Sequence, residues 1–194
     1  MTFDQAARQG ALPVWSGRLL AEIDESDRRA ARLVGPLSAE QLNWRPARTA
    51  WSIGQCLEHL VAGNDLYIPA ITKALADRGR RRVAAVTPGY FSRHFIERYI
   101  AASPRAWRAR APGKIQPPSH VDPSVLDRFL RSNDAARDLI VRASEYDVNR
   151  IRFRNPFIPL IRFTVGTGLE IVSKHQGRHL LQAERVRQSD GFPL

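Results

Sequence analysis

The chain of 194 residues contains one cysteine, one methionine and three lysines. The lone Cys56 excludes an internal disulfide and every cysteine-rich zinc module. No stretch approaches the ~18 uninterrupted apolar residues of a membrane span. The start, Met1-Thr2-Phe3-Asp4-Gln5-Ala6-Ala7-Arg8-Gln9, lacks the charged-then-apolar layout of a signal peptide. A cytoplasmic location with no membrane partner is the resulting expectation. The scarce lysines stand against 27 arginines, and the net charge is +11 with a pI near 11.0. Such a balance ordinarily points to phosphate-bearing partners. Here the charge is scattered among Asp and Glu, and its one dense cluster is Arg78-Gly79-Arg80-Arg81-Arg82. No nucleic-acid partner is therefore expected.

At 43% hydrophobic and a mean hydropathy of −0.34, the chain suits a single soluble domain over 1–194 with one core. Apolar residues recur at helical spacing in four places. Trp15, Leu19, Ile23, Ala30, Leu33 and Val34 mark a first helix, stopped by Gly35-Pro36. Ser52 and Gln55 form a capping box opening a second, expected to reach about Asp77 with a kink before Pro69. Asp122-Pro123 would cap a third, with Phe129, Ala136, Leu139 and Ile140 inward. A fourth starts near Thr164 or Thr167 and runs to about Arg187. Ile151 to Phe163, broken by Asn155-Pro156 and Pro159, reads as a packed loop because proline removes ladder donors. The expected fold is an all-α four-helix bundle with an irregular crossover, residues 78–121, between the second and third helices.

Two of these helices carry histidine on their buried faces. His175 and His179 are four apart and share one side of the fourth helix, a spacing that lets both grip one metal ion. His59 lies mid-way along the second. Three imidazoles leave an ion its full charge and at least one open position, and all-nitrogen ligation suits Zn, Ni or Fe over Ca or Mg. Gln182, Asn133 and Gln55 are pocket candidates, although Gln55 already has a backbone partner in its capping box. Cys56 reads as a small core residue, and His94 and His120 as surface residues. Glu58 and Glu184 neighbour the histidine stripes but point away by about 100 degrees or more. No carboxylate base is thus in place on the helices.

Trp51-Ser52, His59-Leu60 and the run from His175 to Gln182, preceded by Trp44-Arg45-Pro46, resemble the DinB-like superfamily of metal-dependent bundle proteins. The resemblance covers most of the chain and is weakest over residues 78–121. It implies His59, His175 and His179 as metal ligands. It also implies an enzyme that activates a bound thiol or water, as a thiol-dependent transferase or a hydrolase. A low-molecular-weight thiol would be the cosubstrate in the first case. The alternative is a non-catalytic metal- or ligand-binding bundle. The arginine-rich crossover inclines the reading toward an anionic small-molecule substrate, and a homodimer is compatible with the sequence.

Overall fold

The computed structural model describes residues 12–102, 111–158 and 160–193. Its first long helix, α1 (Val14–Val34), buries Trp15, Leu19, Ile23, Ala30, Leu33 and Val34, the stripe its periodicity predicts. The connector that follows contains a short helix, α2 (Ala39–Asn43), opened by a reciprocal capping box between Ser38 and Gln41. That box has the same serine-to-glutamine spacing as the one at Ser52, and the sequence reading passed over it. Asn43 then brackets Val121, donating to its carbonyl at 2.9 Å and accepting its N–H at 2.8 Å. The far end of the crossover is thereby tied down.

The second long helix, α3 (Ile53–Leu75), is opened by the Ser52/Gln55 box and continues through Pro69. It stops two residues short of the expected Asp77, which adopts a left-handed φ of 59°. Ala76, with an extended ψ of 141°, ends the helix, and Asp77 after it occupies a region that aspartate tolerates. Beyond Gly63 its buried positions are Asn64, Tyr67, Ile71 and Leu75.

In the crossover, α4 (Tyr90–Phe95) runs into a π-helical turn, Ile96–Ile100, and a 3-10 turn follows at Gly113–Ile115. The arginine cluster lies against the residues after the third long helix, α5 (Val125–Ala143). Arg81 N–H donates to the Glu145 carbonyl at 2.8 Å, Arg82 pairs with Glu145, and Arg81 approaches Asp147 at 4.0 Å. These contacts join the crossover to that segment. α5 begins after Ser124, later than its expected start, because Asp122 Oδ1 accepts the Ser124 N–H at 2.8 Å and makes a turn of its own.

A two-stranded antiparallel hairpin corrects the expected loop: β1 (Arg152–Arg154) pairs with β2 (Arg162–Thr164), Phe153 opposite Phe163. Pro156 falls after β1, outside the ladder, so it removes no pairing donor; Pro159 lies outside the described residues. The last helix, α6 (Val165–Arg187), is capped by Thr164, whose hydroxyl accepts the Thr167 N–H at 3.2 Å. Gly168 lies where the hairpin meets this helix. A Cβ there would fall 2.6 Å from Phe153 and 2.8 Å from Ile71, so only glycine admits that approach.

Each long helix packs on two others, in the cyclic order α1, α5, α3, α6. The fold is mostly helical, and among the described residues no helix is long and apolar enough to cross a membrane. Its apolar core divides into two clusters, one around Leu19, Ile71 and Leu169, the other around Leu57, Phe129 and Leu180. Between them lies a layer of hydrogen-bonded polar side chains. Asn133 is fully buried and donates to Asp27 at 2.6 Å, accepts from Gln176 at 2.7 Å and accepts from Asn64 at 3.2 Å; Asn64 also donates to Ser132 at 3.0 Å. Asp27 is in turn paired with Arg137. Every member of the layer is thus satisfied, as a buried polar group must be.

Candidate metal centre

α3 and α6 run antiparallel: His59 faces His179, Gly63 faces His175 and Ile71 faces Gly168. Mid-helix residues of both therefore meet at one level. The rings of His59, His175 and His179 have centroids 4.5 to 4.9 Å apart. One nitrogen from each lies within 4.8 Å of the others. His59 Nε2 and His175 Nε2 are 3.1 Å apart. Two nitrogens each about 2.1 Å from a shared ion are separated by roughly 3.0 to 3.4 Å, from octahedral to tetrahedral angles. The pair has the spacing of two metal ligands.

Hydrogen bonding on the far side of two rings fixes which nitrogen is free. His59 Nδ1 is 2.7 Å from the Ile115 carbonyl, and His179 Nδ1 is 2.9 Å from Gln182 Oε1. Taking Gln182 with its oxygen toward the ring, both partners accept, so both imidazoles carry their proton on Nδ1 and turn the Nε2 lone pair inward. Burial pushes His59 below its ordinary range. Burial and then the neighbouring histidines push His175 well below, and the same causes, His59 being the neighbour, bring His179 to about 3. At neutral pH all three are neutral and so able to act as ligands. Trp51, just before the α3 cap, lies against His59 and His179 with centroids 4.8 and 5.7 Å away, and so covers one side of the cluster.

The other side opens into a cleft of about 1960 Å³. His59, His175 and His179 line it, as do Gln182, Trp51, Asn64, Tyr67 and Arg178. Of the remaining pocket candidates, Asn133 sits in the buried polar layer rather than on the cleft wall. Gln55 is consumed by its capping box and by donating to the Pro118 carbonyl at 2.8 Å. Cys56 is fully buried, and burial pushes its thiol up. Glu58 pairs with Arg128 and Glu184 with Arg29, both turned from the metal face as their helical angles predict. His94, read as a surface residue, is exposed yet lines the cleft, while His120 is exposed elsewhere. The Arg78–Arg82 cluster is not on this wall; Arg48, Arg178 and Arg185 are. Gly63 stands beside the His175 ring, where a Cβ would make an ordinary contact at 3.8 Å.

The sequence profile of the DinB superfamily matches residues 22–183, a span that holds all three histidines and every long helix except the ends of the first and last. The chain belongs to the DinB superfamily. No curated protein matches it, and no solved structure does. Within this DinB-superfamily protein the donor set tests well against a divalent transition metal: three neutral imidazole nitrogens at ligand spacing, two of them oriented from behind. Sequence reasoning missed three features of the centre. The Ile115 carbonyl is a backbone atom and leaves no side-chain signal. Tyr67 stands eight residues after His59, on the same face, and that spacing was readable. Asn155, which donates to the Tyr67 hydroxyl at 2.9 Å, comes from the hairpin and has no periodic signature.

Proposed function

We propose that this protein is a metal-dependent enzyme in which His59, His175 and His179 hold one divalent ion, Zn, Ni or Fe, on a single four-helix bundle domain of the DinB-like type. The observation that carries the reading is the inward convergence of three neutral imidazoles, two of them hydrogen-bonded through Nδ1, on the floor of an open cleft. Bound there, the ion would supply a charge that lowers the pKa of a coordinated thiol or water.

The chain's own residues supply position and shielding. Gln182 and the Ile115 carbonyl orient two ligands, and Trp51 excludes water from one side of them. Among the described residues no Asp or Glu lines the cleft. Hydrolysis relies on a proton acceptor beside the activated water, whereas a thiol, being far more acidic, ionises without a strong base. This favours a thiol-dependent transferase over a hydrolase.

The test is metal analysis of the purified protein followed by the absorption spectrum of its cobalt form. A tetrahedral or five-coordinate spectrum that shifts on adding a low-molecular-weight thiol, with thiol-dependent turnover, supports the reading. A spectrum showing four protein ligands, indifferent to thiol and azide, would replace it with a non-catalytic binding bundle.

A further inference from the structure

The cleft has two chemically different ends. Because α3 and α6 are antiparallel, position along either helix measures position along the cleft. Arg185 lies six residues beyond His179, about 9 Å along the axis. Arg48, in the loop before α3, faces the same end, where that loop meets the C-terminal residues through the Trp44–Phe192 ring contact at 5.4 Å. Neither Arg48 nor Arg185 has an acidic partner among the described residues, while nearby Glu184 and Glu58 are taken by Arg29 and Arg128. With no carboxylate on the described wall, this end is cationic and uncompensated.

The opposite end is apolar. Tyr67, eight residues beyond His59 and so about 12 Å along α3, packs against Phe157 with centroids 5.5 Å apart. Its hydroxyl accepts from Asn155 at 2.9 Å and has no acceptor for its own proton among the described residues. Burial raises its pKa, which keeps that proton in place. A single hydrogen-bond donor is thus held in an aromatic surround on a residue of the cleft wall.

We propose that the cleft takes an amphipathic anion: an acid group at Arg48 and Arg185, an apolar body passing the three histidines, and an oxygen acceptor on that body that receives the Tyr67 hydroxyl. The metal reading above locates the reacting part of this molecule, and the inference rests on it for that alone. The arginine and tyrosine contacts are independent of the ion.

Calorimetric titration with ω-phenylhexanoate, ω-phenylhexanol, hexanoate and the para-acetyl derivative of the first, on metal-loaded and chelator-stripped protein, separates the parts. Phenylhexanoate is expected to bind both forms, with the alcohol about fivefold weaker, hexanoate, which lacks the phenyl group, more than about tenfold weaker, and added salt reducing only the acids' binding. Arg48→Gln with Arg185→Gln removes the advantage of the acid over the alcohol. Tyr67→Phe removes the advantage of the acetyl compound and leaves phenylhexanoate unchanged. Equal affinity for acid and alcohol, indifference to the double arginine change, or no binding of any probe overturns the proposal. Acid binding that disappears on stripping the metal and ignores the arginines overturns it while leaving the metal centre standing. Arginine-dependent binding in a protein that takes up no metal does the reverse.

Discussion

The Ile115 carbonyl lies 2.7 Å from Nδ1 of His59, so a backbone atom of the crossover sets the proton position of a histidine on α3. Gln182 does the same for His179 from within α6. Partners of this kind typically contribute ten- to a hundredfold to metal affinity. Gln182→Leu is expected to weaken metal binding by about that factor in competition with a chelator, with helical circular dichroism intact. Gln182→Glu, which restores an acceptor, is expected to recover most of it.

Metal content is expected to follow three histidines and no others. His59→Ala, His175→Ala and His179→Ala should each abolish stoichiometric divalent metal by elemental analysis, while His94→Ala and His120→Ala retain it. Full occupancy in His59→Ala would sink the site, since α6 alone offers two ligands.

Removing the ion should loosen the protein without unfolding it. A ligand bound only by the folded state adds about 2.7 kcal/mol at a hundredfold excess over Kd, equivalent to about 5–10 °C in Tm for a chain of this size. Neither apolar cluster includes any of the three histidines. Chelation is therefore expected to lower the Tm and leave the helical signal, and its complete loss would contradict the core described above.

The stripped protein should also weaken in acid. His59, His175 and His179 all have folded pKa values below the unfolded value near 6.5, His179 at about 3, chiefly through burial. Between those limits the unfolded chain binds more protons, so stability rises with pH. The contribution is complete above about pH 6.5 and is lost as pH falls toward about 3. The urea midpoint should fall on acidification through this window, with a shallower slope for His179→Gln; a rising midpoint would contradict the assignment.

Periodicity made the four long helices readable, because Leu19 and Ile23, or Phe129 and Ala136, bury at the spacing their sequence shows. His59, His175 and His179 were readable for the same reason. The hairpin was not: strands of three residues beside Asn155-Pro156 carry too little alternation to outweigh the prolines, and the contact that decides them, Phe153 over Gly168, is long-range. Asn133 interrupted an apolar stripe, a signal equally compatible with a cleft wall and with a buried network. Only its partners on three other helices, Asp27, Asn64 and Gln176, distinguish the two.

That network acts as an alignment key. On either side of this layer the helices pack through apolar residues such as Leu19, Leu57, Leu139 and Leu180, and those contacts alone do not forbid a slide of one turn, about 5.4 Å. A slide would strand Asn133, Asn64 and Gln176 without partners, at about 1–3 kcal/mol for each buried group. Asn64 is one residue from Gly63, and Gln176 one from His175, so the same contacts index the two histidine-bearing helices against each other. One polar rung thus selects the single offset at which His59 stands opposite His175 and His179, much as a lone asparagine sets the register of a coiled coil.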